Sequence, residues 1–368
     1  MTRSALQGAA GLVLLGATLA LVQAGPSAPA QAGSTPADPS ELPISGALDD
    51  LGEAFDCARQ LSLAFQDLGR RVGPAVASIS SNLPTRGGQL RQVAQGSGVV
   101  VTDDGLLITS HHVVADGTVF RARFEDGREV EAAMLGADPE TDLAVLQLEG
   151  ESFPHAPLST RAPQRGEFVL ALGSPLGLGL SMTTGIVSGL GRKNLGLGIT
   201  YEDFIQFNSD INFGNSGGPM IDMEGRVIGI VAAISAEEPR RSESRGVSFA
   251  IPGQMVRRVT DDLVEHGFVR RGYLGVRTRS LFASRGRRGQ PGVRVTDVVP
   301  ESAAEAAGLE AGDTLLSIDG VELRRSDTLL ETLAGMAPGA RVEIVLERDG
   351  EQQTVEVVLG QRPPVGED

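Results

Sequence analysis

The hydrophobic pattern along the chain changes from helical to alternating near residue 73. Between residues 48 and 72, apolar side chains recur every three or four positions, which predicts one amphipathic helix, or two short helices broken near Gly52. From there to about residue 251, short alternating runs are separated by turn sequences, of which Asp103-Asp104-Gly105 is a strong hairpin signal. Many short strands with closely spaced turns indicate an all-β barrel or sandwich.

A further helix and a smaller unit follow the strands. Met255, Val256, Val259 and Leu263 lie on one helical face, and Gly267 fits the residue just past the helix end. The following stretch of about 90 residues contains signals for strands and two short helices, and it is long enough for an independent domain.

The first 32 residues have the features of an export segment. Arg3 supplies a positive start, an apolar core follows, and small-x-small cleavage sites end at Ala24 and Ala32. Cleavage as a signal peptide is one interpretation. The other is an uncleaved membrane anchor, because residues 5–24 just reach the roughly 20 residues that span a bilayer. Both interpretations predict export, most simply to the periplasm.

Residues 33–45 are Pro-rich and predict a linker before the helical segment 46–72. The helix either packs on the next domain or serves self-association, with Phe55 and Phe65 as candidate contacts. Cys57 lies among apolar neighbours, and we interpret it as a small buried residue.

Composition excludes several classes of partner and site. A formal net charge of −15 over 368 residues argues against nucleic acid, whose phosphates would be repelled. A single cysteine excludes an internal disulfide and a Cys-rich metal site. Two of the four histidines are adjacent and the others are far apart in sequence, so no metal site is predicted.

One glycine-rich stretch, Gly214-Asn215-Ser216-Gly217-Gly218-Pro219, suits a serine nucleophile. Glycines permit positive φ and leave backbone N–H groups free to face a carbonyl oxygen that becomes negative. Such a nucleophile needs a base and an acid that orients it. His111 and His112 end a predicted strand, and Asp142 opens a buried one, so the chain supplies both in the order His, Asp, Ser.

Three motifs together resemble the HtrA/Deg family of trypsin-like serine proteases: Thr109-Ser110-His111-His112-Val113-Val114, Thr141-Asp142-Leu143-Ala144-Val145 and Gly214-Asn215-Ser216-Gly217-Gly218-Pro219. The resemblance implies a mainly β protein, with a chymotrypsin-type double β-barrel followed by a small α+β PDZ domain. We expect the protease domain over 73–255, a linker helix over 256–270 and the PDZ domain over 271–361.

The resemblance also implies residue roles. His112 is expected to act as general base and then acid, Asp142 to orient it, and Ser216 to attack. The backbone N–H groups of Gly214 and Ser216 would form the oxyanion hole. No cofactor and no ATP are implied. Tyr273-Leu274-Gly275-Val276 resembles the carboxylate-binding loop of a PDZ domain, in which successive N–H groups hold a peptide C-terminus.

The implied function is ATP-independent cleavage of misfolded or unstructured proteins, with C-terminal peptides bound at the PDZ domain and a homotrimeric assembly. Two alternatives stay open. The first is a membrane-tethered signalling protease gated by the PDZ domain, and the second is a chaperone-like scaffold with weak proteolysis.

The sequence departs from the family pattern at residues 205–213, which precede the nucleophile. Asp210, Ile211 and Asn212 are expected to line the substrate pocket, and Asp210 stands six residues before Ser216, as the specificity acid does in trypsin. One hypothesis is that Asp210 shifts preference toward Arg or Lys at P1; the other is that it points elsewhere. Phe213 replaces a usual proline, so a misarranged resting loop is a further expectation.

Overall fold

The computed structural model describes residues 52–174, 179–193, 195–212, 214–232, 246–281 and 292–362. The described residues from Ala58 onward belong to one compact unit. Within the described part of the chain, no helix is long and apolar enough to cross a bilayer. The candidate signal or anchor at 1–32 and the linker at 33–45 lie outside the described residues.

Helix α1 (Gly52–Val72) buries only its last turns. Leu68 and Val72 are almost completely buried, and the Phe65 ring packs edge-on against Phe168 at 6.2 Å between centroids. Cys57, by contrast, is exposed. The interpretation of Cys57 as a buried residue is therefore wrong, because the fully buried positions of this helix begin only at Leu68.

A closed six-stranded barrel follows, with spatial order β1-β2-β3-β6-β5-β4. Its strands are β1 (Val76–Pro84), β2 (Leu90–Val100), β3 (Leu106–Ser110), β4 (Val119–Arg123), β5 (Glu129–Asp138) and β6 (Leu143–Leu148). The predicted turn at Asp103-Asp104-Gly105 joins β2 to β3 as an antiparallel pair, and Gly105 adopts the positive φ of 89° that this turn requires. A four-residue helix, α2 (His111–Val114), continues directly from β3.

A second closed barrel has the order β10-β11-β12-β9-β8-β7. Its strands are β7 (Phe168–Gly173), β8 (Ser181–Arg192), β9 (Phe204–Phe207), β10 (Pro219–Ile221), β11 (Val227–Ala232) and β12 (Ser248–Pro252). All six residues of β11 are buried, which explains why its sequence is continuously apolar and does not alternate. The double barrel is the chymotrypsin-type architecture expected from the sequence.

Helix α3 (Gly253–His266) follows the second barrel. It buries Val256, Val259 and Leu263 in the same apolar cluster as residues of both barrels. Gly267 ends the helix with a φ of 78°, the left-handed conformation in which glycine is favoured because it has no Cβ.

The smaller domain has its own apolar core around Val293, Leu315 and Ile344. Its elements are β13 (Gly272–Tyr273), β14 (Val276–Leu281), β15 (Gly292–Val298), α4 (Ala303–Ala306), β16 (Thr314–Ile318), β17 (Val321–Glu322), α5 (Ser326–Ala334), β18 (Arg341–Arg348), β19 (Glu351–Val358) and β20 (Gly360–Gln361). The main sheet has the order β14-β15-β16-β18-β19, while β13 pairs with β20. Strands β18 and β19 form an antiparallel hairpin around Asp349-Gly350.

Candidate active site

Asp142 forms hydrogen bonds with both the backbone and the ring of His112. The Asp142 carboxylate accepts hydrogen bonds from the His112 backbone N–H at 2.9 Å and from ring atom Nδ1 at 2.8 Å to Oδ2. The Asp142 carbonyl accepts from the N–H of His111 at 3.1 Å. One aspartate thus fixes both the start of α2 and the orientation of the imidazole.

The backbone of Asp142 adopts a left-handed conformation, with a φ of 59°. This conformation is uncommon for a residue with a Cβ, although aspartate and asparagine tolerate it better than most. It lies in the short connection between β5 and β6, where the chain turns tightly enough to direct the carboxylate at His112. Asp142 is buried, whereas the His112 side chain is 44% exposed.

The Asp142 contact selects one tautomer of the His112 ring. An ionised carboxylate only accepts hydrogen bonds, so Nδ1 must carry the ring proton. The other ring nitrogen, Nε2, then carries the free lone pair. This is the arrangement that a general base requires.

Ser216 lies in the loop between β9 and β10 of the second barrel, whereas His112 belongs to the first. The N–H groups of Gly214 and Ser216 make no hydrogen bond to any other described residue. Gly214 has a φ of 99° and Gly217 a φ of 81°, so this loop depends on glycine. Two unoccupied N–H groups beside a serine are what binding of an oxyanion requires.

Among the described residues, no hydrogen bond joins the Ser216 hydroxyl to the His112 ring. Catalytic hydrogen bonds are often loose in unliganded enzymes and tighten when substrate binds. Phe213, singled out as a departure from the family, lies outside the described residues.

The three residues expected in the substrate pocket differ in exposure. Asp210 and Asn212 are exposed and Ile211 is buried. The Asn212 carbonyl accepts from the N–H of Asn215 at 3.1 Å, which links the pocket segment to the nucleophile loop. The Asp210 carboxylate has no ion-pair partner in the described part of the chain.

The PDZ loop borders a groove of about 170 Å³ between β14 and α5. Tyr273, Leu274, Gly275 and Val276 line it, as do Leu329 and Leu333 of α5 and Arg362 near the end of the described chain. Gly275 has a φ of 82°, and a Cβ at this position would lie 2.1 Å from the Cβ of Ser302. The loop therefore requires glycine both for its backbone conformation and for space.

Two arginines connect the loop before Asp142 to the smaller domain. Arg271 is almost completely buried and pairs with Asp138 at 2.5 Å and Glu140 at 3.2 Å. Arg362, which lines the PDZ groove, pairs with Glu140 at 2.9 Å. Burial and the nearby Glu140 carboxylate raise the pKa of Tyr201, the ring of which lies 4.5 Å from the Arg271 guanidinium.

Sequence reasoning did not identify Arg271, Arg362 or Ser97. The two arginines resemble ordinary linker and terminal charges in the sequence. Ser97 donates its hydroxyl to the carbonyl of Gly214, and the signal that marks it is its position between Gly96 and Gly98. A serine flanked by glycines within a strand marks a close approach of two backbones.

Comparison with known proteins agrees with this architecture. Residues 96–230 match the model of a trypsin-like peptidase domain, and residues 272–359 match that of a PDZ domain. The chain is 37% identical over 305 residues to a probable periplasmic serine endoprotease DegP-like of Bartonella henselae, covering 81% of this chain and 58% of that protein. It is 37% identical over 282 residues to periplasmic serine endoprotease DegP of Escherichia coli, covering 75% of this chain and 59% of that protein.

Solved structures match over nearly their whole length. The structure of HtrA-type protease AlgW with a decapeptide has a TM-score of 0.70 and 34% identity, covering 82% of this chain and 99% of that one. The serine endoprotease from Yersinia pestis has a TM-score of 0.64 and 31% identity, covering 81% and 98%. The chain spans less than two thirds of the length of the curated relatives described above. It belongs to the HtrA-type proteases, with a trypsin-like peptidase domain followed by a PDZ domain.

Proposed function

We propose that this chain is an ATP-independent serine endopeptidase that cleaves misfolded or unstructured proteins in the periplasm. The observation that carries the proposal is the hydrogen bond between the Asp142 carboxylate and His112 Nδ1, together with a serine loop in which the N–H groups of Gly214 and Ser216 have no partner among the described residues. Ser216 attacks a peptide carbonyl while His112 accepts its proton, and the oxyanion is held by the N–H groups of Gly214 and Ser216. His112 then gives that proton to the leaving amine as the peptide C–N bond breaks, which leaves an acyl-enzyme at Ser216. Water attacks the acyl-enzyme with His112 again as base, which releases the carboxylate product and restores the Ser216 hydroxyl.

The test is hydrolysis of fluorescently labelled casein, an unstructured protein, by the full chain, beside Ser216→Ala, with and without ATP. We expect ATP-independent cleavage that is lost in Ser216→Ala. Polypeptide binding without cleavage in both chains would instead support the chaperone-like scaffold.

We further propose that the PDZ groove binds C-terminal peptides. The N–H groups around Gly275 would hold the terminal carboxylate, and β14 would pair with the peptide as an added strand. Binding is measured by fluorescence anisotropy of labelled peptides with a free or an amidated C-terminus. Equal affinity for both forms would contradict carboxylate recognition.

A PDZ-gated signalling protease is the second candidate, and the arginine contacts favour it. Arg362 lines the PDZ groove and also pairs with Glu140, two residues before Asp142. A bound peptide carboxylate would compete for Arg362 and so act on the loop that carries the orienting acid. If this candidate is correct, C-terminal peptides added to the casein assay raise the cleavage rate, whereas amidated peptides do not.

Specificity at P1 is a proposal of its own. We infer that the exposed Asp210 carboxylate, which has no ion-pair partner among the described residues, favours Arg or Lys at P1. The ratio of kcat/KM for reporter peptides with Arg or Val at P1 is compared between wild type and Asp210→Asn. An unchanged ratio would mean that Asp210 points away from the pocket.

Domain limits, export and assembly complete the proposal. The protease domain would span 73–255, the linker helix 256–270 and the PDZ domain 271–361, and the chain would assemble as a homotrimer. N-terminal sequencing of the mature protein distinguishes a signal peptide cleaved within residues 1–32 from a tether at residues 5–24. Analytical ultracentrifugation measures the assembly state.

A further inference from the structure

Ser97 connects the two barrels directly behind the nucleophile. It belongs to β2 of the first barrel, and its backbone N–H donates to the carbonyl of Ser216 at 2.8 Å. Its hydroxyl donates to the carbonyl of Gly214 at 2.5 Å and accepts from the N–H of Ser174 at 2.8 Å. Its carbonyl accepts from the hydroxyl of Thr109 at 2.7 Å. Every polar group of this fully buried residue is thus hydrogen-bonded.

The backbones around Ser97 approach too closely for other side chains. A Cβ on Gly217 would lie 2.3 Å from the Ser97 carbonyl oxygen, and one on Gly173 would lie 3.0 Å from its Oγ. On the strand itself, a Cβ on Gly96 would lie 3.1 Å from the carbonyl oxygen of Ser216. Three glycines from separate segments therefore surround one small polar residue, which leaves the nucleophile loop little freedom to shift against β2.

Ser97 binds the carbonyls of the two residues that supply the proposed oxyanion donors. The Ser97 carbonyl accepts a hydrogen bond from the hydroxyl of Thr109, which lies three residues before His112 on the strand that leads to the histidine. A chain of hydrogen bonds thus runs from that strand, through Ser97, to Gly214 and Ser216. The hydroxyl of Ser216 has no bond of its own to His112 in the described structure, so contacts of this kind must set the distance between them.

We propose that Ser97 is a positioning residue that holds the oxyanion loop and Ser216 in register with His112. This inference rests on the proposed protease function. Without the Ser97 hydroxyl, the Gly214 carbonyl and the Ser174 N–H both lose their partner in a buried site, and the loop relaxes to satisfy them. Misplacement of reacting groups by about 1 Å can lower a rate by about 100-fold.

The experiment compares wild type, Ser97→Ala and Ser81→Ala in the full chain. Ser81 is the matched control because it is also fully buried in the first barrel, and its hydroxyl has no hydrogen-bond partner among the residues that the structure describes. With a reporter peptide as substrate, we expect Ser97→Ala to lower kcat about 10- to 100-fold and to change KM less than about twofold. Ser81→Ala should retain kcat within about twofold.

A peptide boronate provides a readout that general loosening of the fold would not give. It forms a tetrahedral adduct on Ser216 and places an oxygen in the oxyanion hole, so its inhibition constant should rise by the same factor by which kcat falls. A second variant is Thr109→Val, in which a side chain of nearly the same size can no longer donate the hydrogen bond to the Ser97 carbonyl. It should lower kcat about 3- to 10-fold, which keeps the proposal testable if Ser97→Ala does not fold.

The outcomes separate this inference from the proposed function. If wild type neither cleaves casein or peptide nor reacts with a fluorophosphonate probe at Ser216, both are overturned. If wild type is active and Ser97→Ala loses less than fivefold in kcat, the positioning role alone is overturned. It is likewise overturned if Ser81→Ala loses as much, or if boronate binding is unchanged while kcat falls.

Discussion

At the scale of single residues, the Asp142 carboxylate determines the state of the histidine. Asp142→Asn keeps a side chain of the same shape that tolerates the left-handed backbone of this position. The amide can donate to Nδ1 and so favours the wrong tautomer, with the proton on Nε2. We expect kcat to fall about 10⁴-fold with KM little changed, as measured with a reporter peptide.

The control for this prediction is Asp116→Asn, an exposed acid four residues after His112. It should retain kcat within about twofold, since exposed substitutions away from the site have little effect. A loss of less than tenfold in Asp142→Asn would contradict the proposed role of Asp142 in orienting the base.

Gly275 carries the second prediction at this scale. Gly275→Ala combines a strained φ with a Cβ 2.1 Å from the Cβ of Ser302, so the PDZ loop must move. We expect the Kd of a C-terminal peptide to rise more than about 10-fold and the domain to lose about 1–3 kcal/mol of stability. Anisotropy titration and urea unfolding measure the two effects.

Gly308 supplies the matched control, because it also has a positive φ in this domain but nothing lies within 4 Å of its added Cβ. Gly308→Ala should lower the stability of the domain, because alanine is strained at a positive φ, but it should leave the peptide affinity unchanged. Equal affinities in the two variants would show that the loop tolerates the contact with Ser302.

The candidate triad residues stood out in the sequence because each lies in a motif with its own chemistry. The left-handed backbone of Asp142 and the role of Ser97 could not be recognised in the sequence. Ser97 contacts Gly214 across 117 positions of sequence, and although its flanking glycines indicate a close approach of backbones, they do not indicate which segment approaches. Contacts between barrels depend on how the strands close, which the alternating pattern does not specify.

At the scale of elements, the connection between β5 and β6 is held from the smaller domain. Arg271→Met removes the buried cation that pairs with Asp138 and Glu140, which leaves the buried Asp138 carboxylate without its cation and Glu140 paired with Arg362 alone. Breaking a buried pair in this way costs about 3–5 kcal/mol, and the free energy of unfolding in urea measures it.

The neighbouring Arg270→Met is the matched control. Arg270 pairs with Asp262, but its side chain is 43% exposed, so the loss should be at most about 1 kcal/mol. Equal losses would show that the Arg271 contacts contribute no more than a surface pair.

A chain truncated after Val269, which removes the PDZ domain, would also lose Arg271 and Arg362. Its inactivity alone would therefore not establish gating by PDZ peptides.

Most elements could be predicted from the sequence, because strand alternation, the turn at Asp103-Asp104-Gly105 and the glycine after α3 are local signals. The closure of the strands into barrels could not be predicted from the sequence. The pairing of β3 with β6 and of β9 with β12 joins strands distant in sequence, and the double barrel was expected only from the family resemblance. Exposure along α1 was misjudged for the same reason, since Cys57 lies before the turns that pack.

At the scale of the whole molecule, two buried aspartates link stability to pH in separate domains. Burial raises the pKa of Asp222, but hydrogen bonds from the N–H and the guanidinium of Arg226 outweigh this effect, so the pKa lies below its ordinary value. In the PDZ domain, burial likewise raises the pKa of Asp313, and hydrogen bonds from Arg348 and the Glu310 N–H lower it further than burial raises it.

A lowered pKa in the folded state means that the stabilisation is complete above the unfolded value of 3.8 and declines as pH falls toward the folded pKa. Asp222→Asn and Asp313→Asn should each lose about 2 kcal/mol at pH 7. Calorimetry from pH 7 to pH 2.5 should show this difference from wild type shrinking below about pH 4. Because the two aspartates lie in different domains, each substitution should lower the transition of its own domain. A difference that stayed constant across this range would mean that neither carboxylate is stabilised in its charged form by the fold.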